Sequence, residues 1–135
     1  GGGTTDYAVD IFYSALRGEK FVSFLAEDTF LPMMHIEDAI RASIHIMDAP
    51  SEDIKIRQCY NIGAMSFSPK TLAEAIKKHI PSFEISYEPD YRQAIAATWP
   101  KSIDDSAARA DWRWQEQYDL DGLVVNMIEN LKDRV

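Results

Sequence analysis

Apolar residues recur along the chain at two spacings, and the alternation between them predicts helices separated by short strands. Ala8, Ile11, Phe12, Ala15 and Leu16 share one face of a first helix. Thr4 or Thr5 can cap it, Asp6 lies in its opening turn, and Gly18 follows its last turn, where a left-handed residue ends a helix. Phe21 to Leu25 is short, apolar and turn-bounded, which predicts a strand. After the turn Ala26-Glu27-Asp28-Thr29, Leu31 to Ile36 gives a second extended stretch. Glu37 and Asp38 then open a helix whose buried face is predicted to be Ile36, Ile40, Ile44 and Met47, with Ala49-Pro50 as its stop.

The second half repeats the alternation. Arg57 to Ile62 reads as a strand ending at Asn61-Ile62-Gly63. Ser68-Pro69 starts a helix: a capping hydroxyl, then proline at the first helical position, where no N–H is missed. Its apolar face is Leu72, Ala75, Ile76 and Ile80, and Pro81 ends it. Phe83, Ile85 and Tyr87 alternate with Glu84, Ser86 and Glu88, the pattern of a half-buried strand. Short helices follow over 90–97 and 104–111, then the aromatic turn Trp112-Arg113-Trp114. Asp119 caps a last helix with Leu120, Leu123, Val124, Met127, Ile128 and Leu131 on one face. The result is an α/β domain. Its predicted strand 57–62 lacks obvious neighbours in this chain, and a strand with unpaired edges is costly.

Between the two short helices lies Trp99-Pro100. The residue before a proline is pushed out of helical geometry. The Trp99 indole is therefore expected to project from a loop, either as a packing plug or as the wall of a small-molecule site.

Composition narrows the function classes. With 135 residues and a formal charge of −8, the chain suits one domain and offers no basic surface for nucleic acid or anionic membranes. No apolar run reaches the ~18 residues of a membrane span. The one cysteine, Cys59, has no disulfide or zinc partner pattern, and its place in the predicted strand favours inert burial. His35, Glu37, Asp38 and His45 could tempt a metal reading, but a polar helix face is the plainer one. The run Gly1-Gly2-Gly3-Thr4-Thr5 leaves backbone N–H groups at a helix start, a setting for a carboxylate or phosphate, although the residues alone slightly favour an ordinary cap. No tyrosine is followed four places on by lysine, and no strand precedes the glycine cluster. The chain thus shows neither a short-chain dehydrogenase catalytic pair nor a dinucleotide-binding turn.

Four blocks nevertheless resemble a known family: Gly1 to Val9; Leu31-Pro32-Met33-Met34-His35-Ile36-Glu37-Asp38; Phe83 through Arg92-Gln93-Ala94-Ile95-Ala96; and Trp99-Pro100-Lys101-Ser102-Ile103-Asp104-Asp105-Ser106 with Asp111-Trp112-Arg113-Trp114. In order and across essentially the whole chain, they are similar to the C-terminal part of L-threonine 3-dehydrogenases of the extended short-chain, epimerase-related type. That family usually has tyrosine where His35 stands.

The resemblance implies a late Rossmann-sheet strand at 57–63 plus a small α/β substrate-binding subdomain, 1–135 being a fragment. It places the NAD-binding turn and the catalytic tyrosine and lysine upstream, so no catalytic or cofactor-binding residue falls in this chain and the fragment alone is expected to be inactive. The implied reaction is oxidation of L-threonine to 2-amino-3-ketobutyrate, a proton passing to the upstream tyrosine and a hydride to NAD. Gly3 and Thr5 resemble residues that hold the amino acid, and Trp99 the aromatic that closes over it. No metal, nucleic acid or membrane is implied, and the full-length protein is expected to be a homodimer in the cytoplasm, or in the mitochondrial matrix if of animal origin. The alternatives are the matching part of a nucleotide-sugar epimerase or dehydratase, and a non-catalytic interaction domain. Asp104 and Asp105 beside Lys101 make a poor setting for a diphosphate.

Overall fold

The computed structural model describes residue 3 and residues 6–135. The expected caps Thr4 and Thr5 lie outside the described residues. The elements run α1 (Tyr7–Arg17), β1 (Phe21–Ser23), β2 (Leu31–Met33), α2 (Ile36–Asp48), β3 (Met65–Phe67), α3 (Pro69–His79), β4 (Ile85–Tyr87), α4 (Tyr91–Ala96), α5 (Ser106–Trp112) and α6 (Leu120–Leu131).

Local chemistry sets most boundaries. Gly18 ends α1 in the left-handed region, at φ 68°. The Ser68 hydroxyl accepts the Thr71 N–H at 3.3 Å to start α3, and the Asp119 carboxylate accepts the Gly122 N–H at 2.8 Å to start α6. At the start of α1, Asp6 already has helical angles and makes no side-chain cap. Its carboxylate instead accepts the Gly3 N–H at 2.8 Å.

The strands form two small sheets. β1 lies parallel to β4, Phe21 opposite Ile85 and Ser23 opposite Tyr87. β2 lies antiparallel to β3, Leu31 opposite Phe67 and Met33 opposite Met65. Helices α1, α3 and α6 pack on one another around the fully buried Ile11, Phe12, Leu72, Ile76 and Val124, with Phe21, Leu31 and Phe67 entering from the strands. Each such side chain gains roughly 1.5–3 kcal/mol from leaving water. A second cluster gathers Ala42, Ala108, Trp112 and Trp114 between α2 and α5.

Three expectations are corrected. Residues 57–62 form no strand here; they are coil and bend, and the strand lies three residues on, at β3. A strand exists only against a neighbour's ladder, and among the described residues no ladder reaches this segment. The Lys55 and Ile56 N–H groups turn instead to the Tyr60 hydroxyl, each at 3.0 Å. Cys59, expected to be buried, is exposed for the same reason. Finally, α2 buries the opposite face from the one predicted. Ile36, Ile40, Ile44 and Met47 are 66, 54, 54 and 81% exposed, whereas Asp38 and Ala42 are buried. The Asp38 carboxylate points to the side of the second cluster, where it meets the Gln117 and Tyr118 N–H groups, and the apolar stripe faces outward.

Candidate functional site

The Trp99 loop is carried by α4, and α4 is fastened at its start. The Asp90 N–H donates to the Phe24 carbonyl at 3.1 Å, while the Asp90 carboxylate caps the helix by accepting the Arg92 N–H at 2.8 Å. The Arg92 guanidinium donates to both Asp90 oxygens and lies 3.3 Å above the centre of the Phe24 ring. These bonds from Arg92 hold the Asp90 carboxyl below the usual carboxylate range. One residue on, Gln93 Oε1 accepts the Ala26 N–H at 2.8 Å and the Thr29 hydroxyl at 3.0 Å. Ala96 is buried at the end of the same helix.

After Ala96 the backbone turns tightly. The Thr98 N–H donates to the Ile95 carbonyl at 3.0 Å and the Trp99 N–H to the Ala96 carbonyl at 3.1 Å. Pro100 cannot extend the helix, so the Trp99 ring projects, 43% exposed, as expected from the sequence. It forms one wall of a pocket of about 250 Å³ with Asp28, Thr29, Phe30, Gln93 and Lys101. Beyond it, the Ser66 hydroxyl donates to the Lys101 carbonyl, and Asp105 accepts the Gly63 N–H at 3.3 Å and pairs with Arg109 at 2.9 Å. Asp105 is thus committed to the scaffold.

Of the residues implied by the resemblance, Thr5 lies outside the described residues, and Gly3 is exposed at the approach to α1, its N–H engaged by Asp6. Gly3 does not line the Trp99 pocket. Contacts nevertheless connect the two regions: Tyr7, at the start of α1, meets Phe24 edge to face with ring centres 6.5 Å apart, and Phe24 carries Arg92. Beside the start of α1 opens an apolar cavity of about 310 Å³, lined by Ala8, Val9, Met33, His35, Ile36 and Met127 among others. The sequence brought Arg92 and Gln93 into view only as part of a motif; their roles depend on which residues of 24–29 lie opposite, and a linear pattern carries no such signal.

The acid and histidine cluster is structural. His35 Nδ1 accepts the Glu37 N–H at 3.2 Å and so caps α2, while its Nε2 meets Asn126 Oδ1 at 3.1 Å. Its ring stacks on Tyr118, centres 4.0 Å apart. Asp38, fully buried, accepts Gln117 and Tyr118 N–H groups and Arg41. Burial pushes its carboxyl up, but Arg41 and the two N–H groups outweigh this and hold it below the usual range. His45 packs edge-on against Trp112. Among the described residues, no three of His, Cys, Asp and Glu are placed to hold a metal ion, and no helix is long and apolar enough to cross a membrane. Nor do they form a dinucleotide cradle: β1 runs on into Phe24-Leu25-Ala26, with no glycine turn opening a helix.

No protein-family model matches the chain. Among curated proteins, the mitochondrial L-threonine 3-dehydrogenase of Bos taurus is 50% identical over 129 residues, 95% of this chain but 34% of its own length. A Staphylococcus saprophyticus protein named as an epimerase/dehydratase is 46% identical over 135 residues, covering 99% of this chain and 42% of its own. Among solved structures, the apo GalE-like L-threonine dehydrogenase of Cupriavidus necator superposes with a TM-score of 0.93 at 58% identity, over 98% of this chain and 48% of that one. The chain therefore spans between a third and a half of the proteins it matches. Over nearly all its length, in sequence and in α/β fold, it is homologous to one portion of the epimerase-like L-threonine 3-dehydrogenases.

Proposed function

We propose that the chain is the substrate-binding, C-terminal portion of an NAD-dependent L-threonine 3-dehydrogenase, which oxidises L-threonine to 2-amino-3-ketobutyrate. The observation that carries this reading is the 58% identity to the Cupriavidus necator enzyme along 98% of the chain. NAD is held by the portion of those relatives that this chain does not cover, and the chemical step is made there. The compartment is the cytoplasm, or the mitochondrial matrix in an animal, and the whole enzyme is a homodimer.

The work of the chain's own residues is to bind and orient a small zwitterion and to exclude water from it. Gly3 and Thr5 hold the amino acid from the start of α1. For Gly3 to do so through its N–H, the Asp6 carboxylate must first move aside. Trp99 closes over the substrate from its turn, a motion of the kind that lids make in enzymes.

In the same reading, residues 57–63 join the Rossmann sheet of the nucleotide-binding portion as a late strand. One feature supports this, although within 1–135 the segment itself is coil. The neighbouring helix α2 turns an apolar stripe of Ile36, Ile40, Ile44 and Met47 to solvent, as a helix does when it awaits a sheet face.

The test is a chimera of residues 1–135 with the nucleotide-binding portion of the Cupriavidus necator enzyme. Threonine-dependent NAD reduction is expected from the chimera and none from 1–135 alone. In the chimera, Trp99→Ala and Thr5→Ala are expected to weaken threonine turnover while NAD affinity stays nearly unchanged. A chimera that ignores threonine and epimerises or dehydrates a nucleotide sugar would replace this reading with that of its epimerase-named relatives.

A further inference from the structure

The motif Arg92-Gln93-Ala94-Ile95-Ala96 has no part in binding threonine as proposed above, yet two of its side chains grip one segment and a third is buried. Arg92 stacks on Phe24, Gln93 binds Ala26 and Thr29, and Ala96 is buried against the core. The Gln93 contacts are long-range, spanning 67 and 64 residues of sequence. They fasten a helix of only six residues, too short to hold itself in water. The Trp99 N–H and the Ala97 N–H are both bonded back into this helix, Ala97 to the carbonyl of Gln93 itself at 3.0 Å. Wherever Gln93 is fixed, the Trp99 turn is fixed too.

We infer that Gln93 is the positioning residue for Trp99: by accepting from both Ala26 and Thr29 it locks α4 to the 26–29 turn and sets the pose of the indole. The chemistry suits the task. One amide oxygen takes two donors from one turn, one of them a backbone N–H that no rotamer change can withdraw. Thr29 and Gln93 also line the Trp99 pocket, so the lock forms part of the wall that the ring faces. The further consequence for threonine rests on the function proposed above; the pose of Trp99 does not.

The chain offers a clean readout, because Trp112 and Trp114 are buried in the second cluster while Trp99 is exposed. The 1–135 chain is labelled with 5-fluorotryptophan, and the Trp99 resonance is assigned as the one missing in Trp99→Phe. In Gln93→Ala, this resonance is expected to move toward the free-indole position and to gain a larger H2O-to-D2O shift, with the other two resonances unmoved. Gln93→Glu keeps an acceptor oxygen for both donors and is expected to restore the original position. An unmoved Trp99 resonance in folded Gln93→Ala overturns the inference, as does failure of Gln93→Glu to restore it. Should Gln93→Ala unfold the chain and move all three resonances, Thr29→Val, which removes only one donor, decides between the same two outcomes. In the chimera, Gln93→Ala is expected to raise the KM for threonine more than it lowers kcat. Loss of that split with the fluorine result intact would count against the threonine reading and not against the lock.

Discussion

The carboxylate of Asp38 accepts the backbone N–H of Tyr118 at 3.0 Å across 80 residues of sequence. It also takes the Gln117 N–H, and Arg41 closes the group while lying 4.9 Å above the Trp114 ring. One buried carboxylate thus joins α2 to the segment between α5 and α6. Asp38→Ala leaves Arg41 and two N–H groups without their acceptor and is expected to cost about 3–5 kcal/mol, as measured by urea unfolding. Asp38→Asn keeps one acceptor oxygen and should cost less. A loss under about 1 kcal/mol for Asp38→Ala would mean the knot contributes nothing beyond an ordinary surface contact.

Acid should unfold the chain through a small set of carboxylates. Asp38 and Asp105 are pushed up by burial but pulled further down by Arg41 and Arg109; Asp90, Asp104 and Asp111 are pulled down by Arg92, the Ser106 N–H and the Tyr60 hydroxyl. Their folded values lie below the unfolded value of about 3.9. Their stabilisation is therefore complete above that value and is lost as pH falls through the folded values. Tm is expected to hold from neutrality to about pH 5 and to drop steeply below about pH 4. A Tm that rises on acidification would contradict the sign.

Tyr7 is fully buried, and its hydroxyl has no hydrogen-bond partner among the described residues. Burial alone pushes its ionisation well above the ordinary phenol range. A buried hydroxyl without a partner costs about 1–3 kcal/mol in lost hydration. Tyr7→Phe is thus expected to be neutral or stabilising by up to about 1 kcal/mol in thermal unfolding, whereas Tyr7→Ala opens a cavity costing about 3–5 kcal/mol. Marked destabilisation by Tyr7→Phe would reveal a partner for the hydroxyl.

The exposed stripe of α2 separates two states of the chain. Ile40→Glu with Ile44→Glu is expected to leave the stability of 1–135 within about 0.5 kcal/mol, because both residues are more than half exposed. In the chimera, the same pair is expected to lower Tm and NAD-dependent turnover together. Equal effects in both would mean that the stripe is covered within 1–135.

Boundaries written in local chemistry were legible in the sequence: Gly18, Ser68-Pro69, Asp119 and the Trp99-Pro100 break each act within a few residues. The face of α2 was not. Periodicity marks Ile36, Ile40, Ile44 and Met47 as a stripe but says nothing of what covers it, and within 1–135 the buried positions are Asp38 and Ala42 on the other side. The strand expected at 57–62 is coil within 1–135 for a related reason, since alternation and β-propensity cannot supply a neighbouring ladder. Trp99 was read correctly as a projecting ring, but Gln93 appeared only as a letter of a motif, its role hidden because its partners lie at Ala26 and Thr29.

The pairing of β1 with β4 has a consequence for the timing of folding. Phe21 finds its partner only when Ile85 has been made, and α1 and α3 gain their third wall only from α6. The core around Ile11, Phe12, Leu72 and Ile76 therefore closes late, after residues distant in sequence have met. Removing residues 119–135, and α6 with them, is expected to strip amide-hydrogen protection from the facing turns of α1 and α3.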